Sequence, residues 1–204
     1  NLFDNQCYYY IGKEKFKDTA TLYELKTIDP FNDGTLQQSE VNAGIDELNR
    51  MLTVVNSDYI KITLVGYLIE QLRLSEANIY LAELMQSSPN DPSALYYKAR
   101  FEHLSDQCET AIPYYEQTIE YANYNSLLHR QLAECYFLTG DLPNAYKNYN
   151  RGLNPYLDSN PEPLLYLQYA LSAAGAGETE IALRLLTMIE RFAPHSELMP
   201  QIRE

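Results

Sequence analysis

Small and large apolar residues recur along this chain in a fixed phase, against a polar background. Ala43, Ala77, Ala111 and Ala145 stand 34 residues apart, and Ala182 follows 37 residues later. Leu81, Tyr115, Tyr149 and Leu186 each come four residues after one of these alanines; Val65, Ala99, Ala133 and Ala170 each come twelve before. Positions i and i+4 share one face of a helix, one turn apart. The spacing of twelve accommodates the rest of one helix, a short turn and the start of a second. The pattern therefore predicts antiparallel helix pairs. A small residue on each helix permits close approach, here Ala99 with Ala111 and Ala133 with Ala145, and the large apolar residues fill the space beside it.

The segment Leu127–Asn154 is the clearest unit. Leu132, Ala133 and Tyr136 line one face of its first helix. Thr139-Gly140-Asp141 makes the turn, with glycine free to turn left-handed and aspartate able to cap the next helix. Ala145, Tyr149 and Leu153 form the second stripe, which Asn154-Pro155 ends. The preceding unit, Asp91–Asn123, carries Leu95, Ala99, Ala111, Tyr115 and Ile119, with Pro92 suited to a first helical turn. The following unit, Pro163–Pro194, carries Tyr166, Ala170, Ala182, Leu186 and Ile189, and the Pro-flanked linker Tyr156–Glu162 absorbs the three extra residues. In Asp58–Pro89 the first helix (Leu64, Val65, Leu68) is apolar on nearly every side, so it is expected to be buried by what precedes it. Its second helix carries Ala77, Leu81 and Leu84.

Residues 1–57 are less regular. Glu40–Val55 reads as an amphipathic helix through Val41, Ile45, Leu48, Leu52 and Val55, and Ala43 makes it a candidate second helix of a degenerate fifth unit. Asp18–Ile28 is another helix candidate, and Tyr8-Tyr9-Tyr10-Ile11 also leans to helix.

A 34-residue helix-turn-helix period with this residue pattern resembles the tetratricopeptide repeat (TPR) family. The resemblance covers Asp58–Pro194 in four units. It implies an all-α fold, a right-handed superhelical array of antiparallel helix pairs. The expected division is a helical region 1–57, four helix pairs over 58–194, and a tail 195–204. Departures are Leu95 and His129 where an early aromatic is usual, Lys98 and Glu102 in apolar places, and Gly152 where Ala is common.

In this family the first helices of successive units line a concave, partner-binding surface. By phase that surface carries Tyr59, Ile62, Tyr96, Tyr97, Arg100, His103, Arg130, Gln131, Glu134 and Gln168. Tyr and Arg often dominate interface energies, and Arg100 and Arg130 suit carboxylate recognition. Some members bind C-terminal carboxylates through Lys and Asn on these helices. Here the matching places hold Tyr96, Arg100, Gln131, Leu164 and Gln168, so that mode is disfavoured.

The loop Asp29–Glu40 resembles an EF-hand calcium loop. Asp29, Asp33, the Thr35 carbonyl and Glu40 would be its ligands, and Gly34 its sharp turn. Phe31 stands where a further oxygen ligand belongs. The preferred reading is an ordinary interhelix turn with no metal.

The acidic balance, 28 Asp and Glu against 15 Lys and Arg, is unsuited to binding nucleic acid or anionic lipid. Nineteen tyrosines suit half-exposed surfaces and interfaces. Cys7, Cys108 and Cys135 are odd in number and lack a CxxC, which argues against a disulfide scaffold and makes Cys135 a small core residue. No apolar run spans a bilayer. The chain begins at Asn1 rather than Met, so a preceding segment is expected to have been removed.

Ala174-Gly175-Ala176-Gly177-Glu178-Thr179 lacks the lysine of a phosphate loop and reads as a turn. His103, His129 and His195 form no metal pattern, and no nucleophile-base arrangement is apparent. The expectation is a non-enzymatic adaptor or scaffold without cofactor, holding another protein or peptide in its groove. The alternatives are a homo-oligomerising array, with Asp58–Gln71 or the C-terminal unit as the contact, and the repeat region of a larger protein. A calcium-responsive regulator ranks below these. A cytoplasmic setting is favoured over a periplasmic or secreted one.

Overall fold

A computed structural model describes residues 38–121, 125–153 and 162–197, with side chains from residue 41 onwards. Every regular element among them is an α-helix: α1 Gln38–Val54, α2 Asp58–Glu70, α3 Leu74–Ser87, α4 Pro92–Leu104, α5 Cys108–Tyr121, α6 Ser126–Leu138, α7 Leu142–Gly152, α8 Pro163–Gly175 and α9 Thr179–Phe192. They fall into two compact units that divide between Asp106 and Gln107. The calcium-loop residues Asp29, Asp33 and Thr35 and the two earlier helix candidates lie outside the described residues, as does the side chain of Glu40.

In the first unit α2 packs against α1, α3 and α4. Leu64, Val65, Leu68 and Ile69 of α2 are at most 1% exposed, as its apolar sequence requires. Each such side chain contributes about 1.5–3 kcal/mol by leaving water. Lys61, also buried on α2, reaches Glu83 at 2.7 Å. Asp58 accepts hydrogen bonds from Ser88 Oγ at 2.7 Å and Ser87 Oγ at 2.9 Å, closing the junction ahead of α4. The Ser88 bond is the main reason its carboxyl lies below the usual range. On α1 the core residues are Val41, Ile45 and Leu48, with Gly44 buried and Ala43 exposed. The small-residue position of α1 is therefore one residue out of the phase that Ala43 suggests. Lys98 and Glu102, odd in an apolar pattern, form an i,i+4 ion pair at 2.6 Å, with the ammonium 5.2 Å from the Phe101 ring centroid.

In the second unit α5 packs on α6, α6 on α7, and α8 on α7 and α9. Ala133 and Ala145 are fully buried, with Tyr149 a turn beyond Ala145. Tyr115, Tyr149 and Tyr166 are core residues with no exposure, in the apolar stripes that the periodicity assigns them. The Tyr149 hydroxyl is accommodated by donating to Gln168 Oε1 at 3.0 Å, and that of the buried Tyr169 by donating to Asn150 Oδ1 at 3.0 Å. His129 is buried with its Nδ1 2.8 Å from Asn148 Oδ1. Asn148 Nδ2 donates to the Asn144 carbonyl, which leaves Oδ1 as the acceptor and places the proton on Nδ1 of His129. Cys108 and Cys135 are joined in a disulfide between α5 and α6, with Cα atoms 4.8 Å apart. Cys135 is the buried residue expected, but the pairing corrects the argument against a disulfide: cysteines 27 residues apart are brought together by the packing of successive helices, which spacing alone does not reveal.

The turn inside each helix pair has one geometry. Leu72, Asp106, Gly140 and Gly177 follow one another at 34, 34 and 37 residues and all have positive φ: 55°, 59°, 84° and 84°. Around Leu72, Gly140 and Gly177 the next amide bonds back five residues, as Arg73 to Leu68, Asp141 to Tyr136 and Glu178 to Ala173, each at 2.8 Å. This is a helix stop with a left-handed residue just past the end. Asp91, Asn125 and Asp141 then cap α4, α6 and α7 by accepting from backbone amides.

Candidate partner-binding faces

The first unit's candidate face is built from α2 and α4. Gly66 on α2 leaves room for Tyr97 on α4: a methyl group there would stand 2.6 Å from the Tyr97 hydroxyl and 2.9 Å from Cζ. Tyr97 is thus seated half-buried over α2, with the Tyr96 ring 5.2 Å away at a 60° tilt. One turn on, Arg100 holds Glu70 at only 4.0 Å. The Arg100 side chain is 18% exposed, and its Nε is buried without a hydrogen-bond partner. Tyr59 is half exposed, while Ile62 packs against the core. His103 is buried rather than presented on the face, and its imidazole is held at a pKa of about 4, by burial first and then by the positive charge of Arg100.

In the second unit the face comes from α6 and α8. Arg130 is partly buried because its stem lies along Gly152 of α7. A methyl at Gly152 would meet Arg130 Cγ at 2.7 Å, and the Arg130 amide nitrogen and Ser126 carbonyl oxygen at 2.8 Å. Glycine here is a packing requirement between two helix backbones, which accounts for the departure from alanine. Gln131 is 9% exposed with an unpartnered Oε1, so it is more core than face. Glu134 is partly buried; its negative charge adds to burial in pushing the Tyr149 hydroxyl pKa upward. Gln168 is occupied by Tyr149. Pattern reading assigned these residues a role by phase, placed Leu164 of α8 among them, and missed other exposed apolar ones: Leu127 and Leu138 on α6 and Leu171 on α8. Exposed leucines on otherwise well-packed helices were the available signal.

The chain matches no family model and no curated protein by sequence. It is similar in structure to YrrB, described as a TPR protein with an unusual peptide-binding site, at TM-score 0.63 and 14% identity, over 81% of this chain and 84% of that one. The chain has the tetratricopeptide-repeat fold. PilF of Pseudomonas aeruginosa is similar at TM-score 0.65 and 14% identity over 90% of this chain and 77% of that one. MamA of Desulfovibrio magneticus RS-1 is similar at 0.62 and 14%, over 78% and 88%. At such identities the likeness is one of fold: all-α, built of repeated helix pairs. No helix among the described residues is long and apolar enough to cross a membrane.

Proposed function

We propose that this protein is a non-enzymatic interaction module that holds a peptide or helix of a partner protein on the first helices of its pairs, over the region 58–194. The observation that carries this reading is the α2–α4 face. Tyr97 is seated in a place that only glycine at position 66 permits, with Tyr96 beside it. Arg100 adds a guanidinium whose Nε has no hydrogen-bond partner among the described residues. Aromatic rings held in place and a partly desolvated arginine are the usual anchors of protein interfaces. The fold adds that such helices can present side chains in register, and YrrB, described as having a peptide-binding site, is built in the same way.

The test compares wild type with the Tyr97→Ala, Arg100→Glu double variant in affinity capture from the native host, after far-UV circular dichroism has matched the two. A partner retained by wild type and lost by the variant supports the face. Equal retention by both moves the interface elsewhere. Self-association that hides Tyr97, read by light scattering, would replace the adaptor reading with the oligomeric one.

A further inference from the structure

We propose that the Cys108–Cys135 bond is a redox clamp that fixes α5 to α6 in the second unit. Cys108 is the first residue of α5, and Cys135 lies in the last turn of α6. Their Cα atoms, 4.8 Å apart, lie within the range that a disulfide bridges. The bond therefore joins the beginning of one helix to the end of the next across the seam between them. Tyr136 of α6 also ties the two helices, donating to Glu116 Oε1 of α5 at 2.6 Å. α5 opens this unit, so α6 is its principal support there.

Cys108 is 7% exposed and Cys135 not at all. A reducing thiolate must reach a sulfur to attack it, so reduction has to pass through an opening of the seam. In forming the bond the two thiols lose two protons and two electrons. The electrons pass to a disulfide-bearing oxidant such as oxidised glutathione, which leaves as two reduced thiols. In a reducing compartment the reverse exchange restores both cysteine thiols, and α5 is then held on α6 by non-covalent contacts, the Tyr136–Glu116 bond among them. The docking of α5 is in this way tied to the redox state of the surroundings, and the bond suits an oxidising compartment.

The experiment uses the full chain carrying Cys7→Ser, so that only this pair is read, folded in the presence of oxidised glutathione. Iodoacetamide under denaturing conditions should add no label before reduction and two after it. Amide exchange over 108–121 should quicken on reduction by on the order of a hundredfold, as expected for opening a loop of this length, while 163–192 changes by less than about threefold. The Cys108→Ala, Cys135→Ala variant, which needs no reductant, should exchange like the reduced protein. Two labels before reduction would overturn the proposal. So would unchanged protection of 108–121, an equal loss over both segments, or a double variant protected like the oxidised chain.

Discussion

Replacing Gly152 by alanine sets two effects of known sign against each other. Alanine favours a helix over glycine by about 1 kcal/mol in its interior, and by less at a terminal position such as this one. Against that, the new methyl would stand 2.8 Å from the Arg130 amide nitrogen and 2.8 Å from the Ser126 carbonyl oxygen. Both are backbone atoms of the first turn of α6, so no side-chain rotation relieves the contact. α6 and α7 must move apart by several tenths of an ångström along a seam that also holds Ala133, Ala145 and the His129–Asn148 pair. Overpacking of this kind costs about 1–3 kcal/mol, which outweighs the smaller propensity term and leaves a net loss of about 1–2 kcal/mol. Urea unfolding followed by far-UV circular dichroism, analysed at constant m, reads it directly. A neutral or stabilised Gly152→Ala protein would mean that the helix pair has slack at this point, and the packing account of the glycine would be wrong.

Gly66→Ala meets only the far end of the Tyr97 ring, so stability should change by less than about 1 kcal/mol while partner binding falls; unfolding and binding assays on one preparation separate the two. Gly140→Ala has open space around it but a φ of +84°, and should cost about 1 kcal/mol from backbone conformation alone, measured by the same unfolding curves. His103 has a folded pKa of about 4, so between pH 6.5 and 4 the unfolded chain takes up a proton that the folded one refuses. Stability should thus fall with pH across that window, by roughly 2 kcal/mol after allowing for partial access to water, and His103→Gln should flatten the dependence.

The helix pairs were legible because the fold is periodic and its contacts repeat with the period. Ala77, Ala111, Ala145 and Ala182 mark the same place in four second helices, and all are buried. Where a feature depends on a neighbour outside the pattern, periodicity was blind to it. Leu72 and Asp106 adopt the positive φ that Gly140 and Gly177 advertise, and at Leu72 the same five-residue return bond closes the turn without a glycine. Ala43 matched the phase in sequence yet lies exposed, since α1 buries Gly44 in its place. On the candidate faces, phase located the helices but not the depth of each side chain. His103 and Gln131 sit buried among their neighbours, whereas Leu127, Leu138, Leu164 and Leu171 stand in water. Tyrosine counts pointed to surfaces, but hydrogen-bond partners on the neighbouring helix let the Tyr149 and Tyr169 rings enter the core.

The claim that partners are held on the first helices is tested most directly by site-specific photocrosslinking in the native host. Benzoylphenylalanine replaces either Tyr97 on the α4 face or Ile79, which is 61% exposed on α3. The account predicts a discrete partner adduct from position 97 and none from position 79. An adduct from position 79 with none from position 97 would contradict it.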